Sequence, residues 1–368
     1  MNRDHLPKAK FLLWSRNIFV WVALFLPGVA GLAQDLHYSQ FYGAPLHLNP
    51  SLTGIFDGDV RLMGQYRNQW AQVPVGYTTY TGAVDVKFFN KNVSDGFAAL
   101  GIGYNHDQAG FADLRLSNFN LNGAYTKRLS NRFYGSLGAQ LGFGSRKWEA
   151  NQVTYDNQYD AQQGTFNPDN PNGEGPSQQK LNYGDFGLGF NLRYQVKESY
   201  EQIDTSTGQR TKLDFGMGLF HLNRPNQFFT SLGPIKLPMR LTPYILADLQ
   251  ISKRFDLIAN VAAQFQSSYR QYLGGLGLRY YFNPKRNEEF SIQLGGTMRF
   301  DALTNDSAIY PAAEARYKKL RVGFSYDVNL SKFNSLTEKG GVGGPELFIH
   351  YIFKSYKPVS FKPNCPLI

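Results

Sequence analysis

The feature that most constrains the fold is an alternation of apolar and polar side chains that recurs along the chain. In DVRLMGQYRNQW (59–70), Val60 and Leu62 fall on one side of an extended backbone. Arg61 and Arg67 fall on the other side. Side chains alternate with period two along a β-strand, so each such segment separates an apolar from a polar environment. A soluble sandwich and a membrane barrel both provide that pair of environments.

Fourteen alternating segments follow one another, an even number, as bacterial single-chain barrels have. Two of them contain proline, which cannot donate to a strand ladder and is usual only at edges or irregularities. The predicted strands are 59–67, 80–88, 97–105, 113–127, 133–143, 183–195, 212–220, 241–252, 255–265, 272–282, 290–300, 308–317, 320–330 and 346–353.

The connections between these segments alternate in kind. Every second one is mostly short and polar or basic, as in RLSNR (128–132) and KK (318–319). The intervening ones tend to be longer, and 148–182 and 221–238 are rich in Asn, Gly or Pro. Short turns at one end and long loops at the other are typical of outer-membrane barrels, whereas a sandwich has no reason to sort its loops by parity. We therefore predict an all-β fold, a transmembrane outer-membrane β-barrel of about 14 antiparallel strands.

In such a barrel, the two faces of the first strand have distinct surroundings. Val60 and Leu62 are expected to face lipid, and Arg61 and Arg67 the lumen. Aromatic residues make up 15% of the chain, there are 37 Gly, and only 18% of residues are charged, against about 25% in typical soluble domains. The mean hydropathy of -0.38 is far from that of a helical membrane protein.

The first 33 residues have the pattern of a cleavable signal peptide. A basic stretch (1–16) precedes an apolar stretch (17–33) that ends in small residues, which predicts a mature start at Gln34. An uncleaved membrane anchor is the alternative. No other run approaches the ~18 apolar residues that a spanning helix needs. Export to the outer membrane of a Gram-negative bacterium is the expected localisation. The single cysteine, Cys365, has no partner for an internal disulfide.

The sequence offers little chemistry. It has no nucleophile elbow, no phosphate-binding loop and no cysteine cluster. The stretch 166–175 has oxygen ligands but lacks the calcium-loop pattern. We expect no enzymatic activity, no catalytic residue, no cofactor and no metal site. His350, at a lumen-facing position, is interpreted as a hydrogen-bonded histidine. The formal charge is +10, without a basic run interleaved with aromatics, so no nucleic-acid partner is expected.

Three stretches are unusual for plain barrel wall. Residues 34–58 are dense in aromatic and turn residues that are costly to leave in water, which predicts a segment packed in or against the barrel rather than a disordered lead-in. The stretch 218–229 offers hydrogen bonding and packing, either to close the barrel mouth or to contact a partner. YRNQW (66–70) ends the first strand. The candidate partner-binding or plug residues are Tyr38, Phe41, Tyr42, Asn49, Pro50, Arg67, Asn68, Trp70, His221, Asn223, Arg224, Pro225 and Asn226.

These stretches carry a resemblance. HYSQFYGAPLHLNPSLTG, VRLMGQYRNQW, HLNRPNQ and the closing ELFIHYIF with its Cys-Pro tail resemble the PorP/SprF family. That family comprises outer-membrane components of the type IX secretion system of Bacteroidota, some of them linked to gliding motility. The resemblance covers essentially the whole mature chain. The tail departs from it, because family members often end Cys-Pro-Arg-Phe, whereas this chain ends with Leu367 and Ile368.

The resemblance implies a non-enzymatic barrel. It would engage secreted or surface-anchored substrate proteins with a C-terminal sorting domain, a periplasmic ring lipoprotein or protein of the secretion system, and outer-membrane lipid. The implied organisation is a signal peptide (1–33), an N-terminal plug segment (34–58), a transmembrane barrel (59–354) and a periplasmic tail (355–368). One alternative is an outer-membrane diffusion channel or transporter of small hydrophobic molecules. A soluble β-sandwich is a further one.

Overall fold

The computed structural model describes residues 36–69, 76–88, 96–110, 113–148, 156–160, 164–167, 169–170, 180–196, 209–227, 236–284, 288–302, 306–330 and 343–353. The predicted signal peptide, Trp70 and the predicted tail (355–368) lie outside these ranges. Within them, no helix is long and apolar enough to cross a membrane.

Fourteen antiparallel strands form one closed barrel, which confirms the predicted fold and strand number. The strands are β1 (Val60–Gln69), β2 (Tyr77–Phe88), β3 (Gly96–Ala109), β4 (Leu114–Arg128), β5 (Phe133–Lys147), β6 (Lys180–Gln195), β7 (Lys212–Phe220), β8 (Arg240–Gln250), β9 (Phe255–Gln266), β10 (Tyr269–Asn283), β11 (Phe290–Asp301), β12 (Asp306–Tyr317), β13 (Leu320–Tyr326, resumed at Val328–Asn329) and β14 (Pro345–Phe353).

Each strand pairs with its neighbours in the sequence, and the first and last strands close the barrel. In that seam Val60 lies opposite Phe353, and Arg67 lies opposite Glu346. Closure leaves no unpaired edge, so the backbone groups of the wall are satisfied by strand ladders.

The two strands that contain proline do form, each with a local gap in its ladder. In β8, Thr242 and Pro243 have no partners in the ladder to β9, although the register on either side is unchanged. In β12, Pro311 pairs with β11 but not with β13. β13 is interrupted at Asp327, and its register places that interruption beside Pro311. The gap at Pro311 thus coincides with a break in the neighbouring strand, whereas β9 stays continuous beside Pro243.

The connections follow the predicted parity only in part. At the end where β1 begins, β12 and β13 are joined by residues 318–319, and β8 and β9 by residues 251–254. The opposite end carries the long connection between β5 and β6, which includes a small ladder of Tyr159–Asp160 with Thr165–Phe166. However, a two-residue turn at 267–268 also lies at that end. We call these the short-turn end and the long-loop end; in outer-membrane barrels they face the periplasm and the exterior, respectively.

The two faces of the wall are as the alternation predicts. In β1, Arg61, Gln65 and Arg67 are buried in the lumen, whereas Leu62 is exposed on the outer surface. The most exposed apolar side chains of the wall include Leu137 at 71% and Leu276 at 67%. An apolar exterior around a polar interior is the pattern of a barrel whose outer surface meets lipid.

Candidate functional site

The N-terminal segment, residues 36–58, lies inside the barrel. It starts beside Arg67, which is close to the long-loop end of β1, and it ends beside Phe353 at the short-turn end. On the way it forms three short helical turns. Two of them begin with proline, whose fixed φ suits the first helical position. The turns are Phe41–Gly43, Pro45–Leu48 and Pro50–Leu52.

The start of the segment is held by a carboxylate of β14. The side chain of Glu346, 2% exposed, accepts hydrogen bonds from the backbone N–H of Ser39 at 2.9 Å and of Gln40 at 2.8 Å. The Gln65 amide donates to the same carboxylate at 2.6 Å. Charge-assisted hydrogen bonds of this kind are roughly twice as strong as neutral ones. Glu346 therefore ties two backbone groups of the segment to the seam of the barrel.

Arg67 completes this clamp. Its guanidinium lies 3.5 Å from Glu346 and 3.6 Å from Asp327, and it donates to the carbonyl oxygen of His37 at 2.9 Å. The expected inward direction of Arg67 is confirmed. The next residue, Asn68, is half-buried at the same end of β1. Arg67 thus pairs with two buried carboxylates and bonds the segment, and Asp327 also lies 3.9 Å from Arg299. Removal of Arg67 would therefore leave mainly the Glu346 carboxylate without its cation.

The two tyrosines of the segment contact the two strands that flank β1. The Tyr38 hydroxyl is hydrogen-bonded to the hydroxyl of Thr81 on β2. The Tyr42 ring meets Phe348 of β14 edge to face, with ring centroids 5.8 Å apart. The carbonyl of Gly43, next to Tyr42, accepts a bond from His350 Nε2 at 2.7 Å. The expected role of His350 as a hydrogen-bonded histidine is confirmed.

Apolar side chains of the segment bridge the lumen. They form one buried cluster with residues from β3 on one side of the barrel and from β8, β9 and β10 on the other. Because the side chains of this cluster are buried against one another, water is excluded from the part of the lumen that they fill. The segment contributes Phe41, Leu48, Leu52 and Ile55, and the wall contributes Phe97, Ala99, Tyr244, Ala262 and Leu273.

Asn49 and Pro50 lie at the closest approach of the segment to the wall. The Asn49 side chain, 0% exposed, donates to the carbonyl of Phe190 at 2.8 Å and to the Tyr244 hydroxyl at 3.0 Å. A Cβ on Gly189 would lie 1.8 Å from Asn49 Oδ1. Glycine at this wall position therefore makes room for the segment.

A second carboxylate holds the part of the segment near the short-turn end. Asp85 of β2 accepts a hydrogen bond from the backbone N–H of Gly54 at 2.8 Å and pairs with Arg61 at 2.7 Å. Arg61 also reaches the carbonyl of Leu52 at 3.3 Å. Asp85 and Arg61 are both buried and form a bidentate pair. Asp85 thus binds a backbone N–H group of the segment near the short-turn end, as Glu346 does near the long-loop end.

The outer turn, residues 221–227, follows β7 at the long-loop end. Asn223 bonds the top of β6 twice, accepting from the N–H of Phe186 at 3.2 Å and donating to the carbonyl of Gly184 at 2.7 Å. His221 Nδ1 lies 2.9 Å from Asp185. The turn is therefore fixed to the wall through its backbone and through two polar side chains.

Within this turn, some residues are buried against the barrel and others are exposed. His221 and Pro225 are buried, whereas Asn223, Arg224 and Asn226 are exposed. His221 and Arg224 have positive φ values of 58° and 44°. Residues other than glycine adopt that region rarely, and they occur both in turns and at functional sites. A strained but well-bonded turn thus presents the Arg224 guanidinium and the Asn226 amide outward.

The structure brings most of the candidate residues into two groups. Tyr38, Phe41, Tyr42, Asn49, Pro50 and Arg67 belong to the docked segment and its clamp, and the candidates of 221–226 form the outer turn. Sequence analysis did not single out Glu346 or Arg240. Arg240 donates to the carbonyls of Leu36 and His47 at 3.3 Å and 3.1 Å. Both are charged residues at lumen-facing positions of their strands, and that position was the available signal in the sequence.

Comparison with known proteins identifies the family. The chain matches the family model described as "Type IX secretion system membrane protein PorP/SprF" over residues 30–349. The chain belongs to this family. The PorP/SprF assignment and the barrel agree with the outer-membrane localisation expected from the sequence. No curated protein matches the chain.

Solved structures share only the general architecture with this PorP/SprF protein. The monoaromatic hydrocarbon channel CymD is 10% identical, with a TM-score of 0.48, over 89% of this chain and 96% of that one. The Pseudomonas putida toluene transporter TodX is 11% identical, with a TM-score of 0.46, over 84% and 92%. A FadL homologue from Pseudomonas aeruginosa is 10% identical, with a TM-score of 0.46, over 83% and 93%. At this level of similarity, the function of these proteins does not carry over.

Proposed function

We propose that this PorP/SprF protein is a non-enzymatic, plugged barrel of the type IX secretion system. It engages specific secreted or surface-anchored substrates at its long-loop end and the periplasmic machinery at its short-turn end. The observation that carries the proposal is the docked N-terminal segment, whose apolar cluster joins β3 to β9 and β10 across the lumen.

A barrel with this segment in place is better suited to holding a protein than to conducting one. The segment is bonded to β14 through Glu346, to β2 through Asp85 and to β8 through Arg240. Separating a buried charge from its partner costs several kcal/mol of stability, so the segment should rarely leave the lumen spontaneously. A substrate would therefore be engaged on the outer surface rather than inside the lumen.

The outer turn is the proposed substrate contact. Its exposed Arg224 guanidinium offers five N–H donors in a planar fork, and the exposed Asn226 amide offers both donors and acceptors. The expected ligand is a C-terminal sorting domain that presents carboxylate or carbonyl groups at its surface. The proposed partner at the other end is the periplasmic ring of the secretion system, and a link to gliding motility is part of the proposal.

The test is a replacement of the chromosomal gene by the variant Arg224→Ala with Asn226→Ala. We expect proteins with a C-terminal sorting domain to be retained in the cell or shed into the medium, at an unchanged barrel level. Mass spectrometry of cell, surface and medium fractions measures this. The matched control is Lys180→Ala, which removes an exposed cation at the long-loop end outside the outer turn. A secreted and surface proteome that is unchanged by complete deletion of the gene would refute the proposed function.

A further inference from the structure

A cluster of charged side chains faces the lumen near the short-turn end. We call it the periplasmic cluster. It combines four cationic side chains with two carboxylates, on strands that run from β7 to β13. Its members are Lys212 on β7, Asp248 on β8, Arg279 on β10, Glu314 and Arg316 on β12, and Arg321 on β13.

The two carboxylates are shared among the four cations. Glu314 lies 2.7 Å from both Arg316 and Arg321 and 3.7 Å from Arg279. Asp248 lies 3.3 Å from Arg279 and 3.2 Å from Lys212. Four positive and two negative groups leave a formal excess of two positive charges.

Two neighbouring arginines have carboxylate partners outside the cluster. Arg193 pairs with Asp214 at 2.7 Å, and Arg210 pairs with Asp256 at 2.8 Å. In the described part of the chain, neither of these two carboxylates forms an ion pair with a member of the periplasmic cluster. Uncompensated charge in a poorly solvated cleft raises the local concentration of counter-ions.

The excess charge lies on the accessible side chains. The Lys212 side chain is 40% exposed, and those of Arg316 and Arg321 are 22% and 23% exposed, whereas the Arg279 side chain is 1% exposed. Lys212 begins β7, and Arg316 and Arg321 flank the turn at 318–319. The buried Arg279 and the two carboxylates carry one negative charge in total, and the three cations around them are partly exposed at the short-turn end.

We infer that the periplasmic cluster binds the carboxylates of an acidic peptide segment of a periplasmic partner. The ion pairs form a continuous line from Lys212 on β7 to Arg321 on β13, so a row of carboxylates along a chain fits it better than one compact anion. Guanidinium groups bind carboxylates with two parallel hydrogen bonds, which adds geometry to charge. The inference deepens the proposed function, on which it rests for the identity of the partner.

The test uses the purified full-length barrel in detergent micelles and a fluorescein-labelled oligo-glutamate peptide as the probe. Fluorescence anisotropy measures binding. We expect oligo-glutamate to bind, with an affinity that falls as salt is added, and oligo-glutamine not to bind. Lys212→Gln should weaken binding by about tenfold, and Lys212→Arg should retain it. The control Lys253→Gln removes an exposed turn lysine at the same end and should leave binding unchanged.

Three results would overturn the inference. Oligo-glutamate would bind no tighter than oligo-glutamine, Lys253→Gln would weaken binding as much as Lys212→Gln, or citrate would bind while the peptide does not. Heat-modifiable migration in gels shows that each variant is folded. Because the assay contains no other protein of the secretion system, its failure would leave the proposed function standing, whereas an unchanged proteome after gene deletion would refute that function without affecting this binding.

Discussion

The N-terminal segment and the outer turn are both irregular segments fixed to the same barrel, yet they use their polar side chains in opposite ways. In the N-terminal segment, Asn49 is 0% exposed and is bonded to the wall. In the outer turn, Asn223 bonds the wall, while Arg224 and Asn226 are exposed. The first segment is built to stay in place, and the second is built to be held still while it presents side chains.

The difference also appears in how each segment is anchored. The N-terminal segment depends on buried charges, Glu346 with Arg67 and Asp85 with Arg61. The outer turn depends mainly on neutral hydrogen bonds to the backbone of β6. A buried charge is strongly destabilising when it loses its partner, whereas a neutral hydrogen bond near the surface contributes about 1 kcal/mol. Substitutions in the two segments should therefore separate stability from partner binding.

The largest effect is expected for Arg67→Ala. It leaves Glu346 and Asp327 buried without their shared cation, so the free energy of unfolding should fall by about 3–5 kcal/mol. Urea unfolding of the barrel in detergent measures this, with Arg254→Ala as the exposed control. An unfolding midpoint equal to that of the wild type would mean that the clamp does not hold the segment. The expected difference in anchoring between the N-terminal segment and the outer turn would then be wrong.

A smaller loss is expected for Leu48→Ala. This change opens a cavity in the cluster that bridges the lumen, which costs about 2–5 kcal/mol when neighbours do not collapse into it. The N-terminal segment should become cleavable by protease while the barrel stays intact. The control Leu276→Ala shortens a leucine on the outer surface, 67% exposed. Equal protease resistance of both variants would contradict the bridging role of the cluster.

Gly189→Ala sharpens the comparison, since it alters only the space available to the segment. The added methyl group would lie 1.8 Å from Asn49 Oδ1, and overpacking of this kind costs about 1–3 kcal/mol. Urea unfolding and protease cleavage within residues 36–58 are the measurements. The control Gly274→Ala adds a methyl group that meets no atom within 4 Å. If both variants behave alike, the close approach at Gly189 is unimportant.

The smallest effect on stability is expected in the outer turn. Arg224→Ala removes an exposed side chain, so the free energy of unfolding should change by no more than about 0.5 kcal/mol. Capture of secreted substrates, measured by co-purification from native membranes, should nevertheless fall. A loss of stability without a loss of capture would place Arg224 among the structural residues and would remove the distinction between the two segments.

The strands and their faces were predictable because side-chain direction along a strand depends only on the local sequence. The inward direction of Arg67 followed from the alternation in β1. The aromatic residues at 38–42 favoured a docked segment, because exposing them to water is costly. Its geometry was not predictable, since Gln40 and Glu346 are 306 residues apart and meet only after the barrel has closed.

Local irregularities were also beyond the sequence. The two-residue turn at 267–268 contains Ser267 at a φ of 54°, where Asn or Gly would have been the usual signal. The break in β13 at Asp327 lies next to Pro311 of the neighbouring strand. In both places the pairing between strands determines the local structure, so reading one strand alone predicts a continuous ladder or a longer loop.

The central claim is that the docked segment closes the barrel, and planar-bilayer conductance tests it most directly. Purified protein is inserted into the bilayer, and insertion is checked by heat-modifiable migration of the recovered barrel. We predict no stable conductance for the wild type, and frequent openings for Arg67→Ala, in which the clamp is broken. Steady conductance of the wild-type barrel at the level of an open lumen would contradict the account and would favour the channel alternative.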